Sequence, residues 1–294
     1  MRSRLCWMLL PALLLGSITG KAADEKTVRI LFTNNSNGKL VDCNCRNDPY
    51  GGLAERVSLV REYRSRYPDM LLLDSGGYLG LSDVDRKGQV IFKLMEIMGY
   101  NAWGVGEQEL YRGMSRFLAL SGSFRERMVS ATLMNPGGEK LFSPWRMFTV
   151  DSVRIAVIGI SGAESFAWLP KESLDFAYRQ PDSTLAELLP MLWKSSDYII
   201  VLSQLGRKPD EELAKRIPGI DLIIGGHSQT LIEEPIVVSG CRIVQAGKNG
   251  GHVGEIVLTF DKAKKVKGFA YKLLEVSKKY TIRPEIKPIV DFIK

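Results

Sequence analysis

The chain has 294 residues, 45% hydrophobic and 25% charged, which suits one large domain or two small ones and excludes a disordered or fibrous protein. Removing residues 1–22, with Arg2, Arg4, Lys21 and no acid, lowers the net charge from +7 to +4. No basic run interleaves with aromatics, so no nucleic-acid partner is expected.

The first 22 residues read as a secretory signal peptide. Arg2 and Arg4 form a positive start, Leu5 to Leu15 an apolar run broken by Pro11, and Gly20-Lys21-Ala22 a small-residue cleavage site. Cleavage near Ala22 or Ala23 gives a periplasmic or secreted protein. The alternative is an uncleaved membrane anchor, although the run is short for a span. Cys6 precedes the apolar run, the wrong place for lipidation. Export into an oxidising compartment leaves three cysteines, Cys43, Cys45 and Cys241, an odd number.

Val28 to Asn34 is a β-branched and aliphatic strand entering the loop Asn35-Ser36-Asn37-Gly38. Leu53, Val57, Val60 and Arg64 recur at helical spacing over Leu53–Tyr67. Asp69–Asp74 is a second buried strand, ending in Ser75-Gly76-Gly77. A helix is expected over Gln89–Met98, a short strand over Asn101–Gly106, and a loop at Glu107-Gln108-Glu109. Gly113–Ser121 reads as a helix and Met128–Leu133 as a strand. Trp145–Val150 and Val153–Ile160, separated by Asp151-Ser152 alone, read as a hairpin. Helices over Ser183–Lys194 and Asp210–Arg216 flank a strand over Asp197–Gln204.

Asp221-Leu222-Ile223-Ile224-Gly225-Gly226-His227-Ser228-Gln229-Thr230 then reads as a buried strand running into a glycine-rich loop, where folds with mixed strands and helices keep their chemistry. Four strands follow, over 235–238, 241–244, 253–260 and 266–274, and read as an antiparallel meander. Residues 28–274 form one domain, and 275–294 a tail that is a linker or a last helix.

The loop motifs, each after a strand, resemble the calcineurin-like metallophosphoesterases of the 5′-nucleotidase branch from about Val28 to Leu274. The resemblance implies an α/β (α+β) fold of the four-layer αββα sandwich type. It also implies a di-metal centre between the sheets, where carboxylates and imidazoles hold two cations about 3.5–4 Å apart and activate water. This chain departs from that pattern. The first motif, T-N-D-x-H-G in the family, is Thr33-Asn34-Asn35-Ser36-Asn37-Gly38. The second, ending D-x-G-D, is Asp74-Ser75-Gly76-Gly77. The third, G-N-H-E, is Gly106-Glu107-Gln108-Glu109. The fourth, S-H-x-G, is Ser203-Gln204-Leu205-Gly206. The fifth, G-H-S-H-T, keeps His227 and has Gln229 in place of the second histidine. Among the positions Asn35, Asn37, Gly77, Glu107, Gln108, Gln204, His227 and Gln229, only His227 retains the family residue.

Neutral amides satisfy one another, whereas clustered carboxylates without a cation are costly. The expectation is therefore a protein without catalysis that binds a protein or small molecule in the periplasm, with no cofactor. It would touch a membrane only through an uncleaved leader. Glu107 and His227 are the candidates for one residual metal. The alternative is an active phosphoesterase with a rebuilt Mn, Fe or Zn site drawing on Asp74, Glu107, Glu109, His227 and His252, the last read as a surface turn. A third reading rests on Cys43-Asn44-Cys45, which resembles the C-G-C loop of some exported relatives. That pair fits a local disulfide, a soft metal such as Cu(I), or a redox partner. It fits equally a structural disulfide between one of the two and Cys241. Full 5′-nucleotidases resemble the chain only in their N-terminal half, so the base-stacking C-terminal domain is not expected.

Overall fold

The computed structural model describes residues 25–42, 50–82, 84–277 and 279–292. The leader and the Cys43–Cys45 loop lie outside these residues.

In chain order, β1 (Lys26–Thr33) leads to α1 (Leu53–Arg66), β2 (Leu71–Asp74), α2 (Val84–Met98) and β3 (Ala102–Trp103). Two helices follow, α3 (Glu107–Leu110) and α4 (Met114–Ser121), then a 3-10 segment at Gly122–Arg127. The chain continues through β4 (Leu133–Met134), β5 (Trp145–Val150), β6 (Val153–Ile160), α5 (Ala163–Phe166) and β7 (Ala177–Tyr178). Next come α6 (Pro181–Ser195), β8 (Tyr198–Ser203), α7 (Arg207–Arg216) and β9 (Leu222–Gly225). The last elements are β10 (Ile236–Val238), β11 (Cys241–Val244), β12 (His252–Phe260), β13 (Val266–Glu275) and α8 (Lys287–Asp291).

These strands form two large sheets, ordered β13-β12-β1-β2-β3 and β10-β11-β9-β8-β6-β5, with β4 and β7 paired apart. Alternation along single strands explains the layering. Leu31 and Leu72 point outward into a core with Leu53 and Val57 of α1 and Ile91 and Met95 of α2. Ile30, Phe32 and Leu73 point inward and meet Ile200, Leu202 and Ile224 of the second sheet. Ile199, Val201 and Ile223 point the other way, onto Leu185 and Leu189 of α6 and Leu213 of α7. Three apolar cores thus lie between four layers, helices–sheet–sheet–helices. Strands buried on both faces read as continuous apolar runs, as Ile199-Ile200-Val201-Leu202 does.

Several expectations are corrected. The expected meander is split: β10 and β11 pair in the second sheet, β12 and β13 in the first. Its hydrophobic alternation was real, but partner choice is a long-range property. β11 runs parallel to β9, and the loop 245–251 then crosses to the other sheet. Met128 and Val129 form isolated bridges only, and the strand begins at Leu133. Glu107–Glu109 is helical, not a loop. α2 and α7 start earlier than expected, at Val84 and Arg207. His252 is the half-buried first residue of β12, opposite Glu275, and not a surface turn. The Asp151-Ser152 hairpin holds, with both residues left-handed (φ 47 and 63) as a two-residue turn requires.

No helix of the described residues is long and apolar enough to cross a membrane.

Candidate functional site

β1, β2, β8 and β9 run in parallel directions within their sheets and end together, so their loops meet above the inter-sheet core. This is the cleft that the five motifs line. Asn37 is its hub. Its amide nitrogen donates to Asn249 Oδ1 (2.8 Å) and Gln229 Oε1 (3.3 Å), and its Oδ1 accepts from Gln108 Nε2 (2.7 Å). Four loops from both sheets are tied through this one side chain. Asn34 braces the layer below, donating to Asn35 Oδ1 and Gly247 O and accepting from Ala246 N.

Gln204 is fully buried and wedged among three glycines. A Cβ on Gly76, Gly106 or Gly226 would lie 3.0, 2.7 or 2.1 Å from its amide atoms. Among the described residues neither amide atom of Gln204 meets a hydrogen-bond partner from the protein, and neither do Asn35 Nδ2, Gln108 Oε1 or Glu107 Oε2. Left-handed backbone is concentrated here too. Asn35, Asn37, His227, Gln229 and Asn249 are five of the nine non-glycine residues at positive φ among the described residues. Asparagine and histidine are enriched in this conformation; glutamine adopts it at a cost.

The acids around the cleft divide by role. Glu109 accepts from four backbone amides, those of Gly77, Tyr78, Leu79 and Gly106, at 2.8–3.0 Å. Burial raises its pKa to about 7 against those bonds. Asp74 accepts from the Thr33 hydroxyl and Gly76 N, and burial raises it to about 6. Both side chains pin loops. Glu107 Oε1 lies 3.0 Å from His227 Nδ1, and this bond holds the imidazole above its ordinary pKa. Asp210, fully buried behind them, accepts from Ser203 and is raised by burial to about 8. His252 lies apart, on β12.

A pair of divalent cations does not fit these side chains. Five of the eight matching positions offer neutral amides, poor ligands for Mn, Fe or Zn, and position 77 offers no side chain. Among the described residues no three His, Cys, Asp or Glu side chains converge. Position 77 is closed as well: a Cβ there would lie 2.7 Å from Asn35 Nδ2, on a backbone at φ +73. The pair Glu107–His227 stands as a hydrogen-bonded dyad.

Cys241 is a buried free thiol on the outer face of the second sheet, raised to about 12 mainly by burial. The alternative of a disulfide between Cys241 and Cys43 or Cys45 falls on a loop outside the described residues.

Asn249, Gln245 and Asp210 belong to the site and were not singled out from the sequence. Asn249 precedes Gly250-Gly251, whose turn packs on Gly51-Gly52, so the double glycine was its signal. Gln245 Oε1 accepts from Ser228 Oγ and Thr230 N, a link no local pattern announces.

No family model matches the chain. The 5′-nucleotidase of Diplobatis ommata is 27% identical over 282 residues, covering 84% of this chain and 48% of that relative. The crystal structure of a 5′-nucleotidase precursor from Thermus thermophilus superposes with a TM-score of 0.79 at 25% identity, covering 90% of this chain and 57% of that one. The chain belongs to the calcineurin-like metallophosphoesterases, on their 5′-nucleotidase branch. The calcineurin-like phosphoesterase YfkN from Bacillus subtilis has the same fold, with a TM-score of 0.74 at 20% identity over 92% of this chain and 96% of that one. The chain spans less than half the length of the curated 5′-nucleotidase above, and what it matches is the metallophosphoesterase domain of that branch. The branch is a class dependent on divalent metals, which sets this amide-filled cleft apart from its relatives.

Proposed function

We propose that this protein is an exported, non-catalytic member of the 5′-nucleotidase branch, acting as a binding or accessory protein. The observation that carries the reading is Gln204: a neutral side chain fills the space between Gly76, Gly106 and Gly226 where the two sheets' motifs meet. The Asn37 hub supports it, since hydrogen bonds among amides replace a cation as the tie between the loops. The leader-like residues 1–22 support export.

Elemental analysis of the chain purified without chelator, paired with nucleotide hydrolysis in Mn²⁺, tests the reading. The expected result is no stoichiometric Mn, Fe or Zn, no turnover, and a melting temperature indifferent to EDTA. Two equivalents of metal, or turnover that His227→Ala abolishes, would overturn it.

A further inference from the structure

The end of the sandwich opposite the cleft has a different chemistry. β1 begins there, with Lys26 opposite Phe260, the last residue of β12. The turn between β12 and β13 closes there, and four of the six residues 262–267 are lysines. Lys264 reaches Asp197, just before β8, at 3.0 Å, which fixes the turn against the second sheet's end. α6 also finishes at this end. Its Trp193 is 49% exposed, with the indole nitrogen donating to Gly219 O, and the exposed Lys194 follows it.

Acids lie at this end too, among them the exposed Asp69 just before β2. Asp261 accepts from Lys265 N within the turn, and Asp151 accepts from Thr27 N. Asp197 sits between Arg154 and Lys264, and Glu25 lies 3.6 Å from Lys267. Among the described residues no ion pair forms on Lys262 or Lys265, and both are exposed. The result is a lysine-dense turn whose Lys262 and Lys265 form no ion pair among the described residues, with a half-exposed tryptophan at the same end. The described chain also enters the fold here, at Glu25, following the segment that holds the apolar run Leu5–Leu15.

We propose that this lysine-rich end is a docking surface for an anionic lipid bilayer, which leaves the cleft facing away from the membrane. Charge complementarity selects the partner. Ammonium groups on long stems meet anionic headgroups, and a tryptophan with an adjacent lysine suits the headgroup layer. The start of the described chain at Glu25, at the same end and after the apolar run in sequence, favours a bilayer over a soluble acidic protein. An inserted leader, or a leader captured before cleavage, would bring this face to the headgroups. The proposal stands apart from the reading of the cleft, since none of its residues lines it.

Co-sedimentation of the full chain with phosphatidylglycerol–phosphatidylcholine vesicles, against phosphatidylcholine alone, tests it. The native chain is expected to prefer the anionic vesicles and to lose that preference in 0.5 M salt, where the screening length falls to a few ångströms. Neutralising both unpaired lysines, Lys262→Gln with Lys265→Gln, should lower anionic binding about 25-fold and leave neutral binding unchanged. Lys171→Gln with Lys208→Gln, at the cleft end, should keep the native preference. Equal binding to both vesicles would overturn the proposal. So would a preference that survives in the first variant, which would assign it to Arg2, Arg4 and Lys21. An equal loss in both variants would overturn it as well, because the attraction would then come from overall charge.

Discussion

The middle of the sandwich and its cleft end are built from the same strands, yet they follow different rules. In the middle, Ile30, Phe32, Leu202, Ile224 and Ile256 fill the space between the sheets with no polar atom to satisfy. A few residues further along, the same strands deliver Asn35, Gln204 and Gln229 into a space of the same kind. There, some amide atoms find no protein partner among the described residues and the backbone turns left-handed. The difference teaches that the core was arranged for stability, while the cleft keeps features that stability alone would remove.

The largest test of this contrast is Glu109. Its four backbone bonds make it as structural as the core. Glu109→Ala should cost about 3–5 kcal/mol in urea unfolding, comparable to Ile200→Ala in the inter-sheet core. A cost under ~1 kcal/mol would mean that the cleft loops do not depend on it.

Next in size is the pH dependence. Asp210, Glu109 and Asp74 have folded pKa values of about 8, 7 and 6, above their unfolded values, and His227 is raised too. For a raised group the stabilising contribution is complete below its unfolded pKa and is lost as pH rises through the folded one. Stability should therefore decline between about pH 4 and pH 8.5. Asp210→Asn should flatten the upper part of that slope and gain on the order of 2 kcal/mol at pH 8.5. Thermal melts across this range decide it: a slope unchanged in Asp210→Asn places the titration elsewhere. Core substitutions such as Ile200→Ala should shift the whole profile without changing its shape.

The smallest effect is also a gain, opposite in sign to that of Glu109→Ala. Gln204→Met keeps the volume and removes two unpartnered amide atoms, so it should stabilise by about 1–2 kcal/mol. A loss of stability would show that Gln204 is satisfied in solution and that the contrast between core and cleft is overstated.

Much of this was legible from residues alone. The strands Val28–Asn34 and Asp197–Gln204 were clear because burial on one or both faces leaves a local pattern. The Asp151-Ser152 turn was clear because its length admits few geometries. The split of the expected meander was not, since β10–β11 and β12–β13 are equally good hairpin pairs, and nothing local says that 245–251 crosses between sheets. α3 is four residues long, too short for periodicity to register. The motif positions converge as their order in the chain implied. How they converge was not legible: Asn37 at the centre, Asn249 joining from the far loop, and Glu109 spent on backbone amides are consequences of three-dimensional approach.

The contact between Gly77 and Asn35 has a consequence for substitutions at these positions. A carboxylate returned to position 77 alone meets the Asn35 amide on a backbone that suits glycine. A carboxylate returned to position 35 alone would be a buried charge with no cation beside it. Each single substitution toward the family's carboxylate pair therefore carries a cost that only the other change, together with a cation, could offset. The two positions are coupled, and the double variant is expected to behave differently from the sum of the two single ones.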